Sequence, residues 1–177
     1  MISGSDGRRG SVKNNIILIG MPGVGKSTAG VILAKILGYS FVDTDLLIQQ
    51  SEKRLLKDII ASEGIDGFIS IENKVNSMIT AENSVIATGG SVIYGEQAMK
   101  HLCEIGTVVY LSLGYSQLRR RLRNIRRRGV VIREGQSFSD LYNERVPLYE
   151  KYADIIVDET GCSIERTIDR VIKALGM

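Results

Sequence analysis

The chain carries the octapeptide Gly20-Met21-Pro22-Gly23-Val24-Gly25-Lys26-Ser27, which matches the G-x-x-x-x-G-K-[ST] pattern of a phosphate-binding P-loop without a mismatch. An apolar run at Ile16–Ile19 precedes the loop, and residues 28–37 follow it with apolar side chains at helical spacing. A strand, a glycine loop and a helix in this order surround phosphate oxygens with backbone N–H groups and the positive end of a helix dipole. The sequence therefore predicts a nucleotide site at this loop.

The predicted nucleotide contacts come from the loop and the first turn of its helix: Gly23, Val24, Gly25, Lys26, Ser27 and Thr28. Lys26 is expected to reach the β- and γ-phosphates as a catalytic residue, and Ser27 to ligate Mg²⁺. ATP as co-substrate and Mg²⁺ as cofactor follow from this prediction.

Length and composition agree with a small enzyme. The 177 residues are 44% hydrophobic and 24% charged, with a net charge of +3, and they suit one domain over residues 15–177. Residues 1–14 are polar and are expected to be a disordered leader. The two cysteines show no metal-like spacing, and no apolar run is long enough to span a bilayer. We therefore expect a cytoplasmic monomer with a small-molecule substrate and no nucleic-acid or membrane partner.

Strand-like and helix-like segments alternate along the chain, which predicts an α/β fold with a mostly parallel sheet covered on both faces. One helix is expected from Leu46 to about Ile60, a break at Gly64–Gly67, and a further helix at Phe68–Ile79. Ligands of such sheets bind beyond the carboxyl ends of the strands. The P-loop, residues 43–45 and residues 89–90 all fall at predicted strand ends, so they should line one cleft.

Asp43 and Asp45 allow two interpretations. Two carboxylates at a strand end can divide the work, one holding Mg²⁺ through water and the other acting on an acceptor hydroxyl. Alternatively, they form an Asx-type turn with Asp45 as the N-cap of the next helix. Gly89-Gly90 predicts a strand-ending turn on its own, and next to a P-loop it predicts backbone amides near a phosphate or an anionic substrate.

Basic residues cluster after the fourth predicted strand, and eight arginines fall within 15 positions: Arg119, Arg120, Arg121, Arg123, Arg126, Arg127, Arg128 and Arg133. The cluster suits a solvated helix face, a nucleic-acid patch or a mobile lid that stabilises a transferring phosphoryl group. No aromatic residues interleave, so stacking on single strands is unsupported. We expect one or two of the eight to be functional.

From about Asn15 to Leu175 the chain resembles shikimate kinase. The resemblance rests on motifs in the family's order: the P-loop, Phe41–Asp45, Phe68 with Glu72, Ala87–Gly90, a lid arginine at Arg127 or Arg128, and Glu144–Tyr149 with its Arg-x-Pro-Leu-Tyr pattern. It implies a P-loop nucleoside-monophosphate-kinase-like fold, a three-layer α/β/α arrangement with a mostly parallel sheet and a lid at about 123–137.

The implied reaction transfers the γ-phosphoryl group of ATP to the 3-hydroxyl of shikimate, in aromatic amino-acid biosynthesis. By the resemblance, Asp45 would meet the reacting hydroxyl as a catalytic and substrate-binding residue, and Asp43 would assist Mg²⁺. Arg145 would pair with the substrate carboxylate, in a site shared with Gly89 and Gly90.

The resemblance also implies the remaining contacts. Arg128 would be the lid arginine, catalytic and in contact with the nucleotide. Arg121 would flank the adenine, and Asp158 lies in the loop where the family contacts the base.

Three positions depart from the family pattern. Its Phe-Arg-x-x-Glu has Ile69 in place of the arginine, which would remove one of two charged contacts to the carboxylate. Its third substrate-loop glycine is Ser91, where a side chain would block close approach or meet a positive φ that serine tolerates poorly. Its lid proline is Gly129, within Arg128–Val131.

These departures leave three hypotheses. The chain is a divergent shikimate kinase, a related kinase acting on another hydroxylated small molecule, or a nucleotide-binding protein without catalysis. Six residues count against the third: Lys26, Ser27, Asp43, Asp45, Arg128 and Arg145. Arg145 favours an anionic acceptor, whereas the lost arginine disfavours shikimate in its usual pose.

Overall fold

The computed structural model describes residues 13–122 and 131–177, and the element bounds below refer to these residues. Five strands form one sheet: β1 (Asn15–Ile19), β2 (Ser40–Asp43), β3 (Ser84–Ala87), β4 (Gly106–Ser112) and β5 (Ile155–Asp158). Their order across the sheet is β2-β3-β1-β4-β5, and every pairing is parallel. The parallel sheet predicted from the alternating pattern is confirmed.

Seven helices and one short 3₁₀ turn of the described ranges connect or follow the strands. They are α1 (Lys26–Leu37), α2 (Thr44–Glu52), α3 (Leu56–Ser77), the 3₁₀ turn (Val92–Tyr94), α4 (Glu96–Ile105), α5 (Tyr115–Arg121), α6 (Phe138–Tyr152) and α7 (Ile164–Ala174). α6 continues through Pro147. Helices α1 and α7 contact each other, whereas α3, α4, α6 and the 3₁₀ turn form a second group. The sheet and these two groups of helices form the predicted three-layer arrangement.

The core lies along the central strands. All five residues of β1 are buried, and its Ile17 lies opposite Ile86 of β3 and Val108 of β4. These partners have no exposed surface, because a strand covered by helices on both faces must be apolar on both faces. The rigid centre of the sheet fixes where β1, β3 and their loops end, and so it fixes the geometry of the cleft.

The helix predicted from Leu46 to about Ile60 is two helices. α2 is capped at its C-terminus by Lys53, which has a φ of 53°, and α3 begins after Leu55. A residue in the left-handed conformation ends a helix even when it is not glycine. The periodic pattern of apolar residues did not indicate that a lysine would adopt this conformation. The predicted break beyond it is a kink at Gly64, whose φ is 71° and ψ −177°, and helical structure resumes at once.

Candidate active site

The P-loop, residues 43–45 and residues 89–90 meet beyond the carboxyl ends of β1, β2 and β3. Helices α3 and α6 close the space between these three segments. They enclose a cleft of about 290 Å³. The polar side chains that line it include Lys26, Ser27, Asp45, Glu72, Ser91 and Arg145. The convergence predicted from the strand ends is therefore present.

The P-loop positions Lys26 at the start of α1. Gly25 precedes the helix with a φ of 118°, a conformation that favours glycine. The Lys26 ammonium donates to the carbonyls of Gly20 (2.8 Å) and Met21 (3.1 Å). Burial lowers the pKa of Lys26 to about 8, although Asp45 nearby favours the charged form. A buried lysine held by its own loop is a cation available to an incoming phosphate.

Asp43 caps α2 and also holds Ser27. One carboxylate oxygen accepts from the backbone N–H groups of Asp45 (3.0 Å) and Leu46 (3.4 Å). The other accepts from the hydroxyl of Ser27 at 2.9 Å. The helix cap is therefore Asp43, and the alternative in which Asp45 is the N-cap is wrong. Because the cap uses Asp43, the Asp45 side chain is left for the cleft.

Asp45 lies in the first turn of α2 and lines the cleft. Burial, together with the neighbouring charge of Asp43, raises its pKa, and Lys26 opposes that change. A carboxylate placed between a buried ammonium and an open cleft can accept a hydrogen bond from a bound hydroxyl.

Gly89 is a glycine because two carboxylates lie against it. A Cβ at this position would be 2.3 Å from Glu72 Oε1 and 3.0 Å from Asp45 Oδ1. Its amide donates to the Thr44 hydroxyl (3.2 Å), so it is not a bare amide facing a ligand, contrary to the expectation from the sequence. A Cβ at Gly90 would be 2.7 Å from Pro22 and 3.2 Å from Arg145 Nη1.

Ser91 and Glu72 form a buried pair at the floor of the cleft. Ser91 has a φ of −96° and ψ of −3°, an ordinary right-handed conformation, so the predicted backbone strain is absent. Its hydroxyl donates to Glu72 Oε2 at 2.5 Å. Burial raises the pKa of Glu72 to about 7, and the hydrogen bond from Ser91 opposes that rise. Both protonation states of Glu72 are thus accessible near neutral pH.

Replacing Glu72 by glutamine should change how stability depends on pH. An acid whose pKa rises from 4.5 to about 7 on folding stabilises the native state less as pH increases through that interval. We expect Glu72→Gln to remove a penalty that approaches about 3 kcal/mol at pH 8 and is small at pH 4.5. Urea unfolding of both proteins at pH 5 and pH 8 measures it. Equal pH dependence in the two proteins would show that Glu72 stays ionised throughout.

Arg145 on α6 is 1% exposed. Its Nε donates to the Tyr94 hydroxyl (3.2 Å), its Nη2 donates to the Val131 carbonyl (3.0 Å), and its guanidinium lies 5.2 Å from the centre of the Tyr94 ring. Among the described residues, no carboxylate forms an ion pair with it. A buried cation of this kind normally requires a counter-charge, so the cleft suits an anion.

Two tyrosines, Tyr94 and Tyr149, make hydrogen bonds that hold the surroundings of Arg145 in place. The Tyr94 hydroxyl donates to Glu144 Oε1 at 2.5 Å. The Tyr149 hydroxyl donates to the Gly90 carbonyl at 2.6 Å, and the Tyr149 ring stacks on Tyr110 of β4 with centroids 5.1 Å apart. The Arg-x-Pro-Leu-Tyr motif therefore supplies both the cation and the side chain that holds Gly90 beside it.

The residues predicted to lie near the nucleotide base are Arg121, the last residue of α5, and Asp158, the last residue of β5. Arg121 donates through Nη1 to the Val24 carbonyl (2.7 Å) and to Glu159 Oε2 (3.3 Å). Glu159 is buried and burial raises its pKa, whereas Asp158, the residue predicted from the sequence, is exposed and accepts from the Thr160 amide at 2.8 Å. Glu159, which directly follows the predicted Asp158, is thus the partner of Arg121.

Part of the basic cluster falls outside the described residues, including Arg128 and the rest of 123–130. The lid predicted at about 123–137 is described only from Val131 onward, as non-helical chain that leads into α6. Within it, Arg133 forms an exposed ion pair with Asp66 of α3 at 2.9 Å. Arg119 and Arg120 are exposed on α5.

Residues 13–122 and 131–177 contain no group of three or more His, Cys, Asp or Glu side chains that could hold a metal ion. No helix in those ranges is long and apolar enough to cross a membrane. Ser27 Oγ and Asp43 Oδ2 lie 2.9 Å apart and are oxygens of the kind that could ligate Mg²⁺.

The sequence matches the family model for shikimate kinase over residues 22–176. A shikimate kinase of Thermodesulfovibrio yellowstonii is 34% identical over 162 residues, which is 90% of this chain and 93% of that protein. A shikimate kinase of Nitrosomonas europaea is 36% identical over 170 residues, covering 94% of this chain and 80% of that protein.

Solved structures agree with the sequence matches. The shikimate kinase of Acinetobacter baumannii in complex with shikimate superposes with a TM-score of 0.81 at 32% identity and covers 93% of each chain. The shikimate kinase of Aquifex aeolicus gives a TM-score of 0.77 at 29% identity, with 92% of this chain and 96% of that one covered.

Proposed function

The chain belongs to the shikimate kinase family, an ATP-dependent class of phosphotransferases with an alcohol acceptor, and we propose that its acceptor is shikimate and that the residues of the cleft divide the work as described below. The observation that carries the choice of acceptor is Arg145, a buried cation without a carboxylate partner among the described residues. An acceptor that brings its own carboxylate supplies the missing charge.

On the phosphate side, the P-loop amides and Lys26 bind the triphosphate. Lys26 exchanges its hydrogen bonds to the Gly20 and Met21 carbonyls for phosphate oxygens, and its charge offsets the charge that develops on the transferring group. Arg128, which lies outside the described residues, is proposed as a second cation from the lid.

Ser27 and Asp43 are the residues that would hold Mg²⁺. Their oxygens are adjacent, and Mg²⁺ typically takes one or two protein oxygens with the phosphates and water completing its shell. When bound, the ion neutralises charge on the β- and γ-phosphates.

On the acceptor side, Asp45 orients the reacting hydroxyl and takes its proton. It lines the cleft beside Lys26, and its backbone amide, not its side chain, takes part in the helix cap. Arg145 grips the acceptor carboxylate, and Gly90 carries no side chain because a Cβ there would meet Pro22 and Arg145 Nη1. On the base side, Arg121 flanks the adenine.

A coupled assay of ADP release tests the proposal. Purified protein, ATP and Mg²⁺ should release ADP slowly alone and rapidly on addition of shikimate. Phosphorus NMR of the product should show a new phosphomonoester on the acceptor. ADP release that does not respond to shikimate would contradict the choice of acceptor while leaving the kinase class in place.

Introducing an arginine at Ile69 should strengthen shikimate binding. Ile69 is partly buried against an apolar cluster of Ile48, Ile59, Phe68 and Val131, and Phe68 and Val131 line the cleft, so an arginine at position 69 would have to extend past them. A second charge-assisted contact to one carboxylate is worth about 1.5–3 kcal/mol, or roughly 10–100-fold in affinity. We expect Ile69→Arg to lower KM for shikimate by up to that factor, with kcat little changed.

The gain should depend on Arg145, because both arginines would hold one carboxylate. Titration of shikimate into Ile69→Arg with and without Arg145→Met measures the dependence. Ile69→Met is the matched control for side-chain length without charge. Equal affinity of the arginine and methionine variants would mean that the side chain does not reach the acceptor.

A further inference from the structure

The cleft has one buried arginine on its acceptor side where the family pattern has two. Ile69 belongs to the apolar cluster of Ile48, Ile59, Phe68 and Val131, and it is not among the residues that line the cleft. One arginine can meet both oxygens of a carboxylate through two N–H groups, and Arg145 uses two of its five, one to Tyr94 and one to Val131, which leaves three for a ligand. A second donor to the acceptor is nevertheless missing from position 69.

Ser91 is placed to be that donor. It lines the cleft and is 3% exposed, and it directly follows Gly90, where a Cβ would be 3.2 Å from Arg145 Nη1. Tyr149 holds the Gly90 carbonyl, which fixes the position of the backbone just before Ser91. The serine replaces a glycine of the family pattern, so the chain has gained a hydroxyl in the same cleft as the arginine it keeps.

Glu72 controls what the Ser91 hydroxyl can do. When Glu72 is ionised, the hydroxyl gives its only hydrogen to Glu72 Oε2 at 2.5 Å. When Glu72 is protonated, the carboxyl can donate to Ser91 Oγ, and the serine hydrogen is released toward the cleft. Glu72 Oε1 is buried and has no hydrogen-bond partner among the described residues, which disfavours the ionised form.

The charges around Glu72 come from three other helices. Asp45 of α2 raises the pKa of Glu72, whereas Arg145 of α6 and Lys26 of α1 lower it, and burial dominates, so that the pKa is about 7. An anion bound at Arg145 adds negative charge beside Glu72 and favours its protonation further.

Building on the proposed function, we propose that Ser91 is a specificity-determining residue that donates a hydrogen bond to the acceptor carboxylate beside Arg145, with Glu72 as the positioning residue that releases its hydrogen. The pair takes the place of the arginine absent at Ile69. The acceptor is thus recognised by its carboxylate, and it is bound with uptake of about one proton at Glu72 where that residue is ionised in the free protein.

This arrangement predicts a particular pH dependence. A carboxylic acid with an ordinary pKa near ~4 is ionised throughout pH 6 to 8, so its own titration is excluded. Binding should weaken as pH increases through about 7, because Glu72 then has to take up a proton.

Ser91→Gly, which removes only this hydroxyl group, is the main test. Shikimate and its methyl ester are titrated calorimetrically at pH 6 and 8, with a non-hydrolysable ATP analogue and Mg²⁺ present. We expect the variant to bind shikimate roughly tenfold more weakly at pH 6, with less effect at pH 8, and to bind the ester as the parent does. Any effect of pH on the ATP analogue is common to both titrations, so it cancels when the affinity for the acid is compared with the affinity for the ester.

Three further variants separate specific from general effects. Ser77→Gly, at the last residue of α3, makes the same change outside the cleft and should leave both ligands unaffected. Glu72→Gln should flatten the pH dependence, since a glutamine side chain does not titrate. In an Ile69→Arg background the cost of Ser91→Gly should shrink, because a second donor is present.

The outcomes distinguish this inference from the proposed function. Phosphorylation of shikimate by the parent with unchanged shikimate affinity in Ser91→Gly would overturn the inference alone. An equal loss for acid and ester would overturn it too, since it would mark Ser91 as structural. No response of the parent to shikimate would overturn both.

Discussion

Replacing Lys26 by methionine is expected to reduce phosphoryl transfer by at least about 10³-fold while the fold stays intact. The Lys26 side chain is buried at the N-terminus of α1, and its ammonium donates to two backbone carbonyls of its own loop, Gly20 and Met21. Methionine has a similar length and is easily buried, and losing a desolvated charge offsets the loss of the two hydrogen bonds. The defect should therefore appear in turnover, not in stability.

Steady-state kinetics with ATP and shikimate, together with thermal unfolding by circular dichroism, measure the two effects. Lys35→Met is the matched control, because Lys35 lies on the same helix and is exposed. The control should keep the parent rate. A Lys26→Met protein with near-normal turnover would refute the assignment of the phosphate site to this loop.

The fold could be predicted because its strongest signals are local. A P-loop needs a strand before it and a helix after it, so Ile16–Ile19 and residues 28–37 could be assigned from adjacent residues. Parallel strands have carboxyl ends at one edge, so residues 43–45 and 89–90 could be placed in one cleft without knowing any distance. The structure places the lining of the cleft at these segments.

Sequence reasoning was less successful where tertiary contacts decide. The pattern left open whether the two aspartates divide the chemistry or cap the next helix through Asp45, and the contacts of Asp43 with two amides show that Asp43 is the cap. The expected strain at Ser91 assumed that a glycine position needs a positive φ. The structure shows that the glycine-specific restriction in this loop is close approach, at Gly89 and Gly90, and not dihedral strain at Ser91.

Buried carboxylates were the residues that the sequence indicated least clearly. Glu72 came with the motif that begins at Phe68, but nothing in the motif shows that it is buried against Ser91. Glu159 lies one residue past the predicted Asp158, in a loop where side chains alternate between exposed and buried. A charged residue is usually exposed, so burial of this kind becomes visible only when partners from distant segments are in place.

Asp45→Asn is expected to lower kcat by about 10² to 10⁴-fold and to change the affinity for ATP far less. Asparagine keeps the size of the side chain and one acceptor oxygen, but it cannot take a proton. The cap of α2 is provided by the side chain of Asp43, which accepts from the Asp45 amide, and an asparagine retains that amide. The loss should therefore come from the chemistry of the acceptor hydroxyl.

Rapid-quench measurement of a single turnover, with ATP binding followed separately by fluorescence titration, isolates this step. Asp58→Asn is the matched control, since Asp58 occupies the first turn of α3 as Asp45 does that of α2, and it is exposed. If ATP affinity collapsed and kcat held, Asp45 would be a metal or structural residue, and the division of work between the two carboxylates would have to be reversed. A loss confined to the chemical step instead leaves Asp43 with the metal, because its second oxygen already lies 2.9 Å from the Ser27 hydroxyl.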